Sequence, residues 1–306
     1  MDRPRALRQG PLALAGLTLI AALASASFAD AQSATPAPPD PNPGNLTLIG
    51  SFDVVSTYMF RGIRQNATGI ALWPVADLGA ALYSGKGRLK SVGVNIGTWN
   101  SLHTGDTGAD GPTGKLWYEG DFYATLGLGF GGGTSLATTY TAITSPNNAY
   151  TTIKEIAFKL SVDDSRYLHK AALKPYGMVT FEFDTAPGVG QADGGSKAGR
   201  YLELGVAPGY ALGKASLSVP VKAGLSLANY YELNMGAAPV PVFVDHKFGY
   251  FSVSGLVTVP LGQTTSFGAW NLHGGVELQA LGDTTKVFNG GDGHRFIVSG
   301  GIGFSY

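Results

Sequence analysis

Trp270-Asn271-Leu272-His273-Gly274-Gly275-Val276-Glu277-Leu278-Gln279-Ala280 alternates without a break. Trp270, Leu272, Val276, Leu278 and Ala280 fall on one side, and Asn271, His273, Glu277 and Gln279 on the other. A period of two with one dry face is a β-strand. Its length decides between two kinds of strand protein. Soluble strands run about 5 to 6 residues, whereas a tilted strand that crosses hydrocarbon needs roughly 9 to 11.

The rest of the chain repeats the pattern. Phe251, Val253, Val257, Val259 and Leu261 oppose Ser252, Ser254 and Thr258. Leu217, Val219, Val221, Ala223, Leu225 and Leu227 oppose Ser218, Lys222 and Ser226, and Tyr118, Phe122, Ala124, Leu126 and Leu128 oppose Glu119, Asp121, Tyr123 and Thr125. After Leu46 about twelve such stretches follow, bounded by Gly, Asn, Asp or Pro. The connections alternate in length: 84–87, 131–133, 163–170, 213–214 and 262–266 are mostly short, and 61–69, 102–114, 145–149, 185–199, 232–245 and 282–293 are mostly long. This predicts an all-β, transmembrane, antiparallel up-and-down β-barrel of about twelve strands over 46–306, with both termini periplasmic. Closure is required because hydrocarbon leaves an open sheet edge without hydrogen-bond partners.

Both chain ends agree. Gly300-Gly301-Ile302-Gly303-Phe304-Ser305-Tyr306 closes on an aromatic with another two residues earlier, as outer-membrane β-barrels commonly do, so Phe304 and Tyr306 are read as the signal for the barrel-assembly machinery. At the start, Arg3, Arg5 and Arg8 precede an apolar run over 11–24, and Ala29-Asp30-Ala31 is a small-x-small cleavage site. Residues 1–31 are therefore expected to be a signal peptide, too short in its apolar part to span a bilayer as a helix. Residues 32–45 carry five prolines and form an extended, Pro-rich periplasmic lead-in.

Composition excludes several classes. The 306 residues hold no cysteine, which removes disulfides, thiol chemistry and a lipid-anchor cysteine. Loss of residues 1–31 takes three basic and two acidic groups from the 21 of each sign, leaving 18 against 19, a net charge of −1. That balance does not suit a binder of nucleic acid or of an anionic membrane. Forty-five glycines, 14 tyrosines, 15 phenylalanines and 14% charged residues suit strands and turns. A mean hydropathy of +0.09 fits a barrel, where only alternate residues meet lipid.

Twelve strands leave interior space, since about eight is the number at which side chains fill a barrel. The alternation places Asp53, Asp77, Glu119, Asp121, Glu155, Lys159, Lys174, Glu182, Asp184, Glu203, Lys222, His273, Glu277 and Arg295 on inward faces as candidate pore-lining residues. Nine are carboxylates and four are Lys or Arg. A Lys or Arg facing lipid at the midplane would cost about 2 to 4 kcal/mol, so these charges must face water or one another.

Phe52-Asp53-Val54-Val55-Ser56-Thr57-Tyr58-Met59-Phe60-Arg61-Gly62-Ile63-Arg64-Gln65-Asn66 resembles the Ser-x-Tyr-x-Phe-Arg-Gly-x-x-Gln opening of the TorF-like porin family, and Val94-Asn95-Ile96-Gly97-Thr98-Trp99-Asn100-Ser101 is similar to the Gly-x-Trp-x-Ser segment that follows in that family. The resemblance covers about 50–101 and implies an outer-membrane barrel and a porin. It carries over no catalytic or ligand-binding residue. Read from the residues, Tyr58 and Phe60 belong to an aromatic girdle on the lipid face, with Arg61 and Arg64 at the rim. Those arginines either secure the first hairpin or take part in a charged constriction or a lipopolysaccharide contact.

Enzyme motifs are weak. Gly127-Leu128-Gly129-Phe130-Gly131-Gly132 fits Gly-x-Gly-x-x-Gly, but the following 135–143 reads as a strand where a dinucleotide site needs a helix. Asp106-Thr107-Gly108-Ala109-Asp110-Gly111 resembles part of a calcium loop, with Gly at the third position and Trp117 at the twelfth, and is read as a solvated loop. Of five histidines only His273 is placed in the lumen, and no Ser-His-acid set falls on one wall. No cofactor and no metal are expected.

The sequence thus predicts a monomeric channel of the outer membrane of a Gram-negative bacterium. It would pass small hydrophilic solutes passively, with a mild preference for cations, and contact lipid and lipopolysaccharide. The alternative is a structural or adhesive barrel with a lumen closed by salt bridges and working loops; an outer-membrane hydrolase is the least favoured reading.

Overall fold

The computed structural model describes residues 44–107, 115–183, 190–236, 239–262 and 268–306. Residues 1–43, which hold the expected signal peptide and nearly all of the expected lead-in, lie outside them, as do Asp184 and most of the Asp/Gly loop after Asp106.

Twelve strands form one antiparallel sheet: β1 (Leu46–Val55), β2 (Ala71–Ser84), β3 (Leu89–His103), β4 (Trp117–Phe130), β5 (Thr134–Thr144), β6 (Ile153–Val162), β7 (Tyr176–Glu182), β8 (Arg200–Val206 continuing as Gly209–Leu212), β9 (Ala215–Ser218 continuing as Val221–Ala228), β10 (Phe248–Pro260), β11 (Ala269–Leu281) and β12 (His294–Ser305). Each pairs with its sequence neighbours, and β1 pairs with β12 through Ile49↔Ser305 to Val55↔Ser299, which closes the barrel. The breaks in β8 and β9 fall at Pro208 and Pro220, which have no N–H for the ladder.

Both described chain ends lie together, joined by Leu48 N–H to the Tyr306 carbonyl at 2.7 Å and Tyr306 N–H to the Leu48 carbonyl at 2.8 Å. That end of the barrel also carries the short connections. One is longer than expected: 163–175 folds into a helix, Ser165–Leu168, and a 3-10 turn, His169–Ala171. The Gly127–Gly132 motif ends in a tight turn, Gly131–Gly133, leading directly into β5.

The outward positions form an apolar belt around the sheet. Phe52 and Val54 on β1, Ile96 on β3, Phe122 on β4, Leu160 on β6, Leu204 on β8, Phe251 and Val253 on β10, Leu272 and Leu278 on β11, and Phe296 on β12 are all exposed. Among the described residues no helix is long and apolar enough to cross a membrane.

Inward glycines let large side chains lie flat against the wall. The Tyr123 ring covers Gly97, Tyr176 covers Gly205, and Tyr250 covers Gly224, places where a Cβ would collide with the ring. A bulge between Ser101/Leu102 and Trp117/Glu119 leaves Tyr118 as an extra residue. Tyr118 therefore turns inward and is buried, where strict alternation puts it outside.

Candidate functional site

The lumen is the concave polar surface of the molecule, and its main feature is a segment that alternation assigns to the rim. After β1, residues 56–70 turn into the barrel. They carry a miniature hairpin in which Met59–Phe60 pairs with Ile63–Arg64 around Arg61 and Gly62, both at positive φ (49° and 84°). A two-residue turn with both centres at positive φ suits a tight hairpin. Tyr58, Met59, Ile63 and Asn66 are buried. The reading of Tyr58 and Phe60 as lipid-facing and Arg61 as a rim residue is therefore wrong. Arg64 is half-buried within the same hairpin.

Arg61 is held on every side. Its guanidinium makes two hydrogen bonds to Glu155 on β6, at 2.7 and 2.8 Å, and a third to the Tyr230 hydroxyl at 2.6 Å. It packs over the Tyr201 ring at 4.6 Å and the Phe60 ring at 4.8 Å. A non-glycine residue at positive φ is strained, and its carbonyl is fixed by the Tyr231 hydroxyl at 2.9 Å. The next carbonyl, that of Gly62, accepts from the Asn289 amide at 3.0 Å. Asn289 follows a helix, Asp283–Phe288, whose Thr285 hydroxyl binds the Gly249 carbonyl on β10. The hairpin tip is thus clamped by β6, β8, β10 and the connections 229–247 and 282–293.

The base of the hairpin is fixed on the opposite wall. The Tyr58 hydroxyl donates to Glu119 at 2.7 Å, and its ring lies 5.4 Å from Trp73 and 5.2 Å from Trp99. Tyr118 donates to Gln65 and stacks on His103 at 4.3 Å. The plug spans the lumen at the long-loop end, from β2–β4 to β6–β10.

The remaining candidates fall out as follows. Asp53, Asp77, Glu119, Asp121, Glu155, Lys159, Glu182, Glu203, Lys222, His273, Glu277 and Arg295 lie at inward strand positions. Asp184 lies outside the described residues. Lys174 is not on a strand: it sits at positive φ in 163–175, its N–H bound to Asp164 at 2.9 Å. Polar partners tie down much of the rest. Glu203 accepts from the hydroxyls of Tyr176, Tyr201 and Tyr250 at 2.7 to 2.8 Å, and Glu277 accepts from Ser252 and Gln279. Lys159 lies over the Tyr176 ring at 4.3 Å. Asp77 binds the Asn95 amide at 2.6 Å and also meets the Tyr123 hydroxyl; Asp121 Oδ1 is buried with no protein partner. Asp53 meets His273 Nε2 at 2.5 Å across Gly301, where a side chain would displace the carboxylate.

No described arrangement is a hydrolytic triad. Ser101 contacts His103 Nε2 at 2.8 Å, but both are fully buried, the Ser101 hydroxyl also accepts from Trp73, and the other ring nitrogen meets Thr107 rather than an acid. Among the described residues no group of three or more His, Asp or Glu side chains is placed to hold a metal ion.

No protein-family model matches the chain, and no curated protein matches it, so the resemblance to TorF-like porins stands on the two quoted motifs. Solved structures with similar folds are outer-membrane barrels of differing activity. An outer-membrane channel of Pseudomonas putida F1 is 11% identical with a TM-score of 0.49, covering 90% of this chain and 100% of its own. The translocator domain of the autotransporter NalP of Neisseria meningitidis is 14% identical with a TM-score of 0.42, covering 87% and 89%. Outer membrane phospholipase A of Escherichia coli is 12% identical with a TM-score of 0.42, covering 84% and 89%. These likenesses concern the barrel and assign no activity.

Proposed function

We propose that this protein is an outer-membrane channel for small hydrophilic solutes whose lumen is closed, in the arrangement described, by the inserted hairpin around Arg61. The observation that carries the reading is the polarity of the closed sheet: an apolar belt outside and an acid-rich lining inside, which is the pattern of a barrel that separates lipid from a polar interior. Short connections and both described termini would then face the periplasm, and the long loops would face outward.

Carboxylates at Asp53, Asp77, Glu119, Asp121, Glu155, Glu182, Glu203 and Glu277 face Lys159, Lys222, Arg295 and the inserted Arg61. This surplus raises the local concentration of cations, so a mild cation preference follows. Exchange of Glu119→Gln, Asp121→Asn and Glu182→Gln together tests it in planar bilayers under a salt gradient. The reversal potential should move toward zero selectivity, and an unchanged potential removes these residues from the path.

A second reading is favoured by a specific observation. Tyr201, Thr180 and Ser252 are completely buried although they lie at inward strand positions, and Tyr231 in 229–247 is buried with them. A lumen packed this tightly suits a structural barrel whose loops are the working surface, and absence of conductance in every variant would select it.

A further inference from the structure

With Arg61 inside the barrel, the rim loses the cation that a lipid phosphate was expected to meet. Three other cations take that place, on alternate strands of one side. Lys154 is the second residue of β6, Arg200 opens β8, and Lys247 immediately precedes β10; all three are exposed at the long-loop end. Lys154 and Arg200 occupy outward positions, since Glu155 and Tyr201, their neighbours in sequence, point inward. The strand between them supplies aromatics: Phe183 donates its N–H to the Lys154 carbonyl at 2.9 Å, and Phe181 stands opposite Arg200. Phe183 stacks with Tyr140 of β5 at 6.1 Å and Phe181 meets Phe158 of β6 edge-on at 6.2 Å. Lys247 reaches the Leu227 carbonyl and pairs with Asp245 at 2.6 Å, so it is the most compensated of the three.

We propose that Lys154 and Arg200, with Lys247 at the margin, form a binding site for a bisphosphorylated lipid headgroup of the outer leaflet, its acyl chains lying against Phe181, Phe183, Tyr140 and Phe158. Alternate strands lie about 10 Å apart, so the cations present separated charges rather than one crowded pocket. A guanidinium and an ammonium on this spacing match two phosphates carried on one headgroup. Aromatic rings beside the basic side chains (Phe181, Phe183) and further down the strands (Tyr140, Phe158) provide the boundary between headgroup and acyl chain. At the corresponding end of β12 and β1 the outward residues are His294, Phe296 and Val54, and Arg295 points inward; Lys115, exposed just before β4, lies on the same side as the patch.

The inference rests on placing the barrel in an outer membrane and not on conduction. It is tested by titrating folded protein in detergent micelles with bisphosphorylated lipid A, with its phosphate-free counterpart and with inorganic phosphate, following bound lipid by native mass spectrometry. Lipid A binding should fall at least tenfold in Lys154→Ala/Arg200→Ala and equally on removal of the phosphates, whereas Lys286→Ala, on the helix in 282–293, should bind as wild type. Heat-modifiable gel migration reports folding, and Lys154→Gln/Arg200→Gln replaces the alanine pair if that variant does not fold. Unchanged binding in the folded double variant overturns the site, as does an equal loss in Lys286→Ala. Competition by inorganic phosphate alone overturns the lipid as its occupant. Lipid binding without conductance leaves this site standing and removes only the channel.

Discussion

Arg61 and Glu155 meet inside the barrel through two parallel hydrogen bonds of 2.7 and 2.8 Å, from a connection at one end of β1 to the inner face of β6. They are 94 residues apart in sequence and on different sides of the lumen. A bidentate pair of this kind fixes orientation as well as distance, and here it sets the position of the whole hairpin. Neither partner belongs to β1 or its paired strands, so the pair constrains the plug without contributing to barrel closure.

Loss of one partner of a buried pair leaves the other charge uncompensated and costs about 3 to 5 kcal/mol. Arg61→Ala is expected to release the hairpin rather than unfold the barrel, because the strand ladder is untouched. Limited proteolysis should open new cleavage within 56–70 while the folded form keeps its heat-modifiable migration. Loss of both together would make the pair a determinant of the barrel itself.

Closure at the β12–β1 seam depends on Gly301, over which Asp53 reaches His273. Gly301→Val should push the Asp53 carboxylate aside and lower the temperature at which the folded band disappears, by more than Asp53→Asn does. A variant that matches wild type would show that the seam has room to relax.

Phe304 packs on Trp270 at 4.8 Å, and Tyr306 exchanges two backbone hydrogen bonds with Leu48. Deleting 304–306 should reduce the yield of folded barrel in membranes without changing the properties of the barrels that do form. Normal assembly in that deletion would remove the tail's role as a signal.

Asp193, in the connection before β8, is pushed up to about 7 by burial, with the nearby Glu232 charge acting in the same direction. Its folded value lies above the ordinary 3.8, so the folded loop holds the proton more tightly than the unfolded chain. The stabilisation is therefore complete below about pH 4 and lost as pH rises through 7. Cleavage at Lys197 by a protease active across the range should increase from pH 5 to pH 8, and Asp193→Asn, which does not titrate and keeps an acceptor for one of the two N–H groups of Gly195 and Glu232, should flatten that rise while raising its starting level. A pH-independent rate in the wild type would contradict it.

The fold was legible because alternation is enforced wherever one face meets an apolar phase: β10 and β11 read directly from Phe251, Val253, Leu272 and Leu278. The plug was not, because Tyr58 and Phe60 alternate just as a girdle would, and period alone does not distinguish lipid from a packed interior. The one signal lay in the turn, where Gly62 permits the positive φ of a tight hairpin; nothing in the residues marks the break between Val55 and Met59. Tyr118 was misplaced for a related reason, since a one-residue bulge shifts parity and leaves no mark in composition. Lys174 was placed on a strand that begins only at Tyr176, because the helix at Ser165–Leu168 extends a turn expected to be short.

Single-channel recording of wild type against Arg61→Ala in planar bilayers tests the central claim, that the hairpin held by Glu155 closes an otherwise passable lumen. The account predicts rare or small openings in the wild type and steady, larger, cation-preferring openings in the variant. Silence of the folded variant over many insertions, or conductance identical to wild type, would contradict it.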